Sequence, residues 1–222
     1  MYNPQPVKIH VAPADVATAL NGLGLTEDLL IQALVFGFGY RADCTLNDPS
    51  SAGGFLMWDK TTRMLRDLLI PQGWTRENPD NYSLTVHGSD DWAIAVAPGD
   101  TNTGNPNQTP VTQTERGPAT RRAVDQNQYS FTIVSSQFVP RSPHVRQTWL
   151  LLQDSKGDYL SDLRAELSLP ADMTPEGFVY AWAERIIIDL SRANPIGTAI
   201  SRPQTGPAGD DQIDVPVRMK AQ

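Results

Sequence analysis

Few residues in this chain have both the type and the spacing that chemistry needs. The three histidines, His10, His87 and His144, lie far apart and form no His-x-x-x-His or Glu-x-x-His pair, so a metal site would require the fold to bring them together. No Gly-x-Ser-x-Gly elbow is present. The single cysteine, Cys44, follows an apolar stretch and reads more simply as a small buried hydrophobe than as a nucleophile. Asp90 and Asp91 are adjacent carboxylates at a turn, where a turn-forming role outweighs acid/base work. Gly99-Asp-Thr-Asn-Thr-Gly104 has the Gly-x-x-x-x-Gly spacing of a phosphate loop, but Asn105 stands where the lysine should be and Pro106 interrupts the helix that should follow. A nucleotide hydrolase of that class is excluded.

What remains is the loop as a whole. Asp100, Thr101 and Thr103 at its near end offer oxygen ligands or hydrogen bonds. At its far end Arg116 precedes a Gly117-Pro118 helix start, with Thr120, Arg121 and Arg122 just inside. Free backbone N–H groups and arginines there could converge on a phosphate or carboxylate. The plainer alternative carries more weight: Asp100 and the threonines brace a surface loop whose arginines are solvated. No cofactor or metal is implied.

The element that must position this loop is a hairpin. Tyr82, Leu84, Val86 and then Trp92, Ile94, Val96 alternate on either side of Gly88-Ser-Asp-Asp91, which predicts two paired strands with one face buried. The polar segment from Pro98 to Pro118 then runs about 20 residues, against roughly 4–6 for an ordinary connection. Loops of that length tend to be functional or disordered.

Around the hairpin, the pattern predicts a short edge strand at Val7–Val11, a helix opened by Pro13 and closed at Gly22 and Gly24, and a buried helix capped by Thr26 with Glu27 and Asp28 in its first turn. Gly37 and Gly39 lie inside that helix, which indicates close helix packing rather than a nucleotide fingerprint. A third helix is expected from Gly54 to Ile70, burying Phe55, Trp58, Thr62, Leu65 and Leu69 and exposing Lys60, Arg63 and Arg66. After the loop come a short helix from Pro118, then strands at Tyr129–Ile133, Thr148–Gln153 and Asp162–Leu169, a loop over Pro170–Gly177, and a strand region at Phe178–Ile188. The fold class is therefore α+β, with N-terminal helices packed on a largely antiparallel sheet built from hairpins. Residues 1–192 read as one domain, and 193–222 as an extended or mobile tail in which Ile213–Val217 could pair on an edge.

Composition bounds the partners. The chain has 222 residues, 40% hydrophobic and 19% charged, enough for a sizeable core. A net charge of -7 and a pI near 4.9 argue against coating DNA, which requires a basic footprint, and favour a protein partner over nucleic acid. One cysteine allows no internal disulfide and fits a cytoplasmic setting. The N-terminus lacks signal-peptide features, and the longest apolar run, Leu29 to Phe38, is about half a bilayer span, so no membrane role is expected.

The combination Arg-Ala-Asp-Cys44, Asn-Tyr-Ser-Leu-Thr-Val-His87, Ala-Ile-Ala-Val-Ala97 with Gly99-Asp-x-x-Thr-Gly104, Gly117-Pro-Ala-Thr120, Glu166-Leu-Ser-x-Pro170, Trp182-x-Glu-Arg-Ile186 and Asp214-Val-Pro-Val217 resembles a family of uncharacterised bacterial proteins sometimes carried on mobile elements. The resemblance implies one intact domain from a bacterial cytoplasm and no particular activity. Two function classes follow. The first, which the thin catalytic inventory favours, is a non-enzymatic interaction protein of such a system, binding a macromolecule through the loop and tail. The second is an enzyme or binding protein for a phosphorylated or nucleic-acid ligand at the 98–122 loop.

Overall fold

The computed structural model describes residues 6–135, 145–157 and 159–193, with the backbone alone over 129–135. The described residues form four α-helices and one seven-stranded sheet: β1 (Lys8–His10), α1 (Pro13–Gly22), α2 (Glu27–Ala42), α3 (Ala52–Leu69), β2 (Thr75–Glu77), β3 (Leu84–Val86), β4 (Trp92–Pro98), α4 (Pro118–Ser135), β5 (Gln147–Ser155), β6 (Leu163–Met173) and β7 (Val179–Ile187). The strand order is β1-β7-β6-β5-β4-β3-β2. Pairing is antiparallel except at β1–β7 and β4–β5, which are parallel. This is an α+β fold, and the three N-terminal helices stand where their caps and periodicity put them.

Local chemistry explains the helices. Thr26 caps α2 by accepting a hydrogen bond from the Leu29 N–H, with Glu27 and Asp28 in the first turn. Gly37 lets α2 approach α3: a Cβ there would lie 2.0 Å from Thr61 Oγ1 and 2.6 Å from the Met57 carbonyl. The glycine is thus a packing device, as its place in the helix implies. The helix α3 then docks on the sheet through Trp58 Nε1, which donates to the Val96 carbonyl at 3.1 Å, and Thr61 Oγ1, which donates to Gln153 Oε1 at 2.9 Å. Met57, Thr61, Thr62, Leu65 and Leu69 form its buried face, whereas Phe55, expected inside, is 59% exposed.

The hairpin differs from expectation in an instructive way. Thr85 lies opposite Ile94 and Val86 opposite Ala93, so an even-numbered residue of β3 faces an odd-numbered one of β4. The two alternating runs therefore point to opposite sides of the sheet. Trp92, Ile94 and Val96 join the core under α1–α3, while Leu84, Val86, Ala93, Ala95 and Ala97 join a second core under α4. Both faces of β4 are buried, not one. The helices likewise do not all cover one face: α4 lies on the other side, admitted by the small side chains of Ala93, Ala95 and Ala97.

Three more expectations fall. The run Tyr129, Phe131, Ile133 belongs to α4, which continues to Ser135, rather than to a strand. The strand β6 does not stop at Leu169 but runs through Pro170 to Met173, its register shifting there. Thr75–Glu77 pairs with β3 as an edge strand that the alternation did not reveal. The expected tail lies outside the described residues apart from Ala193. Among the described residues no single helix is long and apolar enough to cross a membrane.

Candidate functional site

The long loop is an ordered part of the second layer, and it is tied to the sheet by a buried ion pair. Glu166 and Arg185 are 0% and 1% exposed. Arg185 Nε and Nη2 donate to the two carboxylate oxygens of Glu166 at 2.9 and 2.6 Å. Ser168 Oγ and the Gly104 N–H complete the carboxylate's partners, and Arg185 reaches on to the Asn105 and Gln108 carbonyls. Gly104 fits this approach because its φ is +73° and a Cβ would press on the Ala165 backbone. Farther along, Trp182 Nε1 donates to the Pro110 carbonyl at 2.8 Å, and Thr112 exchanges hydrogen bonds with Val179.

Within this frame the near-end candidates separate from the far-end ones. Asp100 is half-buried and braces the turn, accepting from Asn102 N–H at 3.0 Å. Its charge is felt by Asp154 at the end of β5, whose carboxyl is pushed up by burial first and, among smaller influences, by Asp100, against Lys156, Arg164 and Arg41. Thr101 is exposed and Thr103 is fully buried against Gly99. These three do not meet the arginines.

At the far end, the Arg116 N–H donates to the Gly177 carbonyl at 2.9 Å, and Gly177, at φ +108°, has no room for a Cβ against Arg116. The Gly117 carbonyl accepts from Thr120 and Arg121 N–H, and Pro118 opens α4. Arg121 turns away: its Nη2 donates to the Thr174 carbonyl at 2.6 Å and the Pro175 carbonyl at 3.3 Å, so it anchors the β6–β7 turn instead of facing a ligand. Arg122 pairs with Asp80. Arg116, Thr120 and Arg122 converge with Asp80, Tyr82 and Glu115 around an open pocket of about 420 Å³.

Two groups in this pocket are left without partners among the described residues. Arg116 makes no ion pair among the described residues, and its buried Nε has no acceptor; burial pulls the guanidinium below its ordinary range, with Tyr82 acting the other way. Tyr82 is 9% exposed and its hydroxyl makes no hydrogen bond of good geometry among the described residues, although the Thr120 hydroxyl faces it and favours ionisation slightly. Burial, the largest influence, still pushes the phenol up to about 12 against Arg116 and Thr120.

No family model, curated protein or solved structure matches this chain. The geometry therefore carries the functional reading alone.

The remaining chemical candidates have structural partners. His87 stacks on Trp92 with centroids 4.4 Å apart and meets the edge of Trp74 at 4.9 Å, and its Nδ1 is 2.8 Å from Ser89 Oγ. It clamps the β3–β4 turn, rather than standing free at the surface. His10 lies on the far edge strand with its Nε2 2.6 Å from Glu184, and His144 lies outside the described residues. Cys44 is half-buried, its Sγ 3.6 Å from the Tyr40 carbonyl. Among the described residues no three His, Cys, Asp or Glu side chains gather as a metal site. Sequence reasoning missed Tyr82 as a site residue. It counts correctly as a buried position of the alternation, but a phenol preceding a strand carries a hydroxyl that needs a partner, and that was the available signal.

Proposed function

We propose that this chain is a non-enzymatic interaction protein of a bacterial, mobile-element-borne system, and that it holds a protein partner in the cytoplasm through the pocket at the start of α4. The observation that carries the reading is Arg116: a half-buried guanidinium beside an unpartnered phenol, with no carboxylate of its own among the described residues. A cation withdrawn from water without a counter-charge is costly, and an anionic group on a partner supplies what the fold leaves out. The net charge of -7 favours a protein over a nucleic acid as the source of that group.

Affinity capture from source cells with the wild-type chain and with Arg116→Gln tests it. We expect a specific partner lost by the variant, with a melting temperature changed little because Arg116 has no ion pair to lose. Equal capture by both proteins would place the interaction elsewhere.

A further inference from the structure

The pocket's charge and shape narrow what it accepts, on the reading that it is the binding site. Arg122 is neutralised by Asp80, and Glu115 stands at the rim. Among the described residues that leaves two full charges without an ion pair, the half-buried Arg116 and the exposed Glu115, and the partial positive end of the 18-residue helix α4 adds to the first. A second depression of about 330 Å³ continues from the first, sharing Tyr82, Ala119 and Arg122 and extending past Leu84 and Ala123. Its wall carries Asp90 and Arg146, and Arg146 is paired both with Asp90 and with Glu77, to which Nη1 and Nη2 donate at 2.8 and 3.1 Å.

We infer that this groove takes a carboxylate carried on an apolar body: a peptide's chain terminus or an acidic side chain, with its flanking apolar group lying along Leu84 and Ala123. A guanidinium fork matches the two oxygens of a planar carboxylate. The Tyr82 hydroxyl, buried and without a partner among the described residues, is a donor available to the same group, and the Thr120 hydroxyl faces it. A phosphate monoester carries a second negative charge for which the pocket has no free cation among the described residues, and Glu115 repels it more strongly than a singly charged carboxylate.

Titration of the full chain, followed by amide NMR shifts at Ala119 and Thr120, tests this with four probes: N-acetyl-leucine, its uncharged amide, N-acetyl-isoglutamine as a side-chain carboxylate, and phenyl phosphate. We expect at least one carboxylate to bind about tenfold or more tightly than the amide, the factor a charge-assisted hydrogen bond supplies, and more tightly than the phosphate. The better carboxylate identifies the source as chain terminus or side chain. Arg116→Gln should abolish binding. Arg116→Lys, which keeps the charge and loses the fork, should weaken it, and Tyr82→Phe should weaken it with the fold intact. Phenyl phosphate binding more tightly than both carboxylates, yet lost with Arg116→Gln, would overturn the carboxylate inference and leave the pocket standing. No shift with any probe, or shifts indifferent to Arg116→Gln, would overturn the pocket itself.

Discussion

Tyr82 links the candidate site to pH. Its phenol is held neutral in the fold, up to about 12, while the unfolded chain ionises near the ordinary value of about 10. The folded state thus binds more protons between those values. Its contribution is fully present below about pH 10 and is lost as pH rises toward 12, a fall of about 2–3 kcal/mol. Tyr82→Phe removes this titration and also the unpartnered hydroxyl. At pH 7 the variant should be as stable as the wild type or more so, by up to about 1 kcal/mol, since no hydrogen bond is lost. Urea melts from pH 7 to 12 check both statements. Parallel alkaline declines in the two proteins would mean that the phenol is not held neutral by the fold, and a clear loss at pH 7 that its hydroxyl is bonded there. Arg121 teaches the opposite lesson at the same scale: it lies five residues from Arg116 in a similar run, yet it is consumed by the Thr174 and Pro175 carbonyls. Sequence alone does not distinguish two neighbouring arginines whose fates depend on a turn about 50 residues away.

At the scale of elements, the loop from Gly99 to Gly117 and the helix after it form one unit, in which buried polar contacts add to the apolar packing of Ala123 and Val124. Glu166 anchors the loop and Asn127 anchors the helix: the Asn127 amide donates to the Thr148 and Pro170 carbonyls and accepts from the Thr148 N–H. This explains why only the start of α4, at Pro118, was legible, and not its full length. Its buried positions, Thr120, Ala123, Val124 and Asn127, have helical spacing, but two of the four are polar and the apolar period vanishes from the sequence. The helices α1–α3 and the hairpin were legible because apolar side chains mark their buried faces, whereas the loop's order comes from Glu166 and Arg185, which meet only in the folded sheet. Glu166→Gln should destabilise by about 3–5 kcal/mol, because it strands a buried guanidinium. It should also free the Gly104–Gln108 segment to proteolysis. A variant within about 1 kcal/mol of wild type by chemical denaturation would show that the loop is held elsewhere.

For the whole molecule, the decisive feature is that the sheet is buried on both faces at its centre and thin at its ends. Leu150, Leu151 and Leu152 of β5 and Leu167 of β6 are all 0% exposed, drawing on both cores. β1 and β2, three residues each, form the two edges, and at one of them Val7, just before β1, and Ile9, within it, stand 41% and 38% exposed. The parallel pairing of β1 with β7 joins positions such as His10 and Ile186 from opposite ends of the described chain, a contact no local pattern predicts. Such an edge has little apolar burial to hold it, and the long loop it closes must be reopened at little enthalpic cost. Native-state hydrogen exchange should therefore find the β5 and β6 amides exchanging only by global unfolding, with β1 opening at several kcal/mol less. The edge strand β2 should be intermediate, since Arg66 donates to the Glu77 and Leu84 carbonyls and Arg146 grips the Glu77 carboxylate. If the β1 amides are as slow as those of β5, the edge is an integral part of the cooperative unit, and the exposed Val7 and Ile9 must be covered in solution.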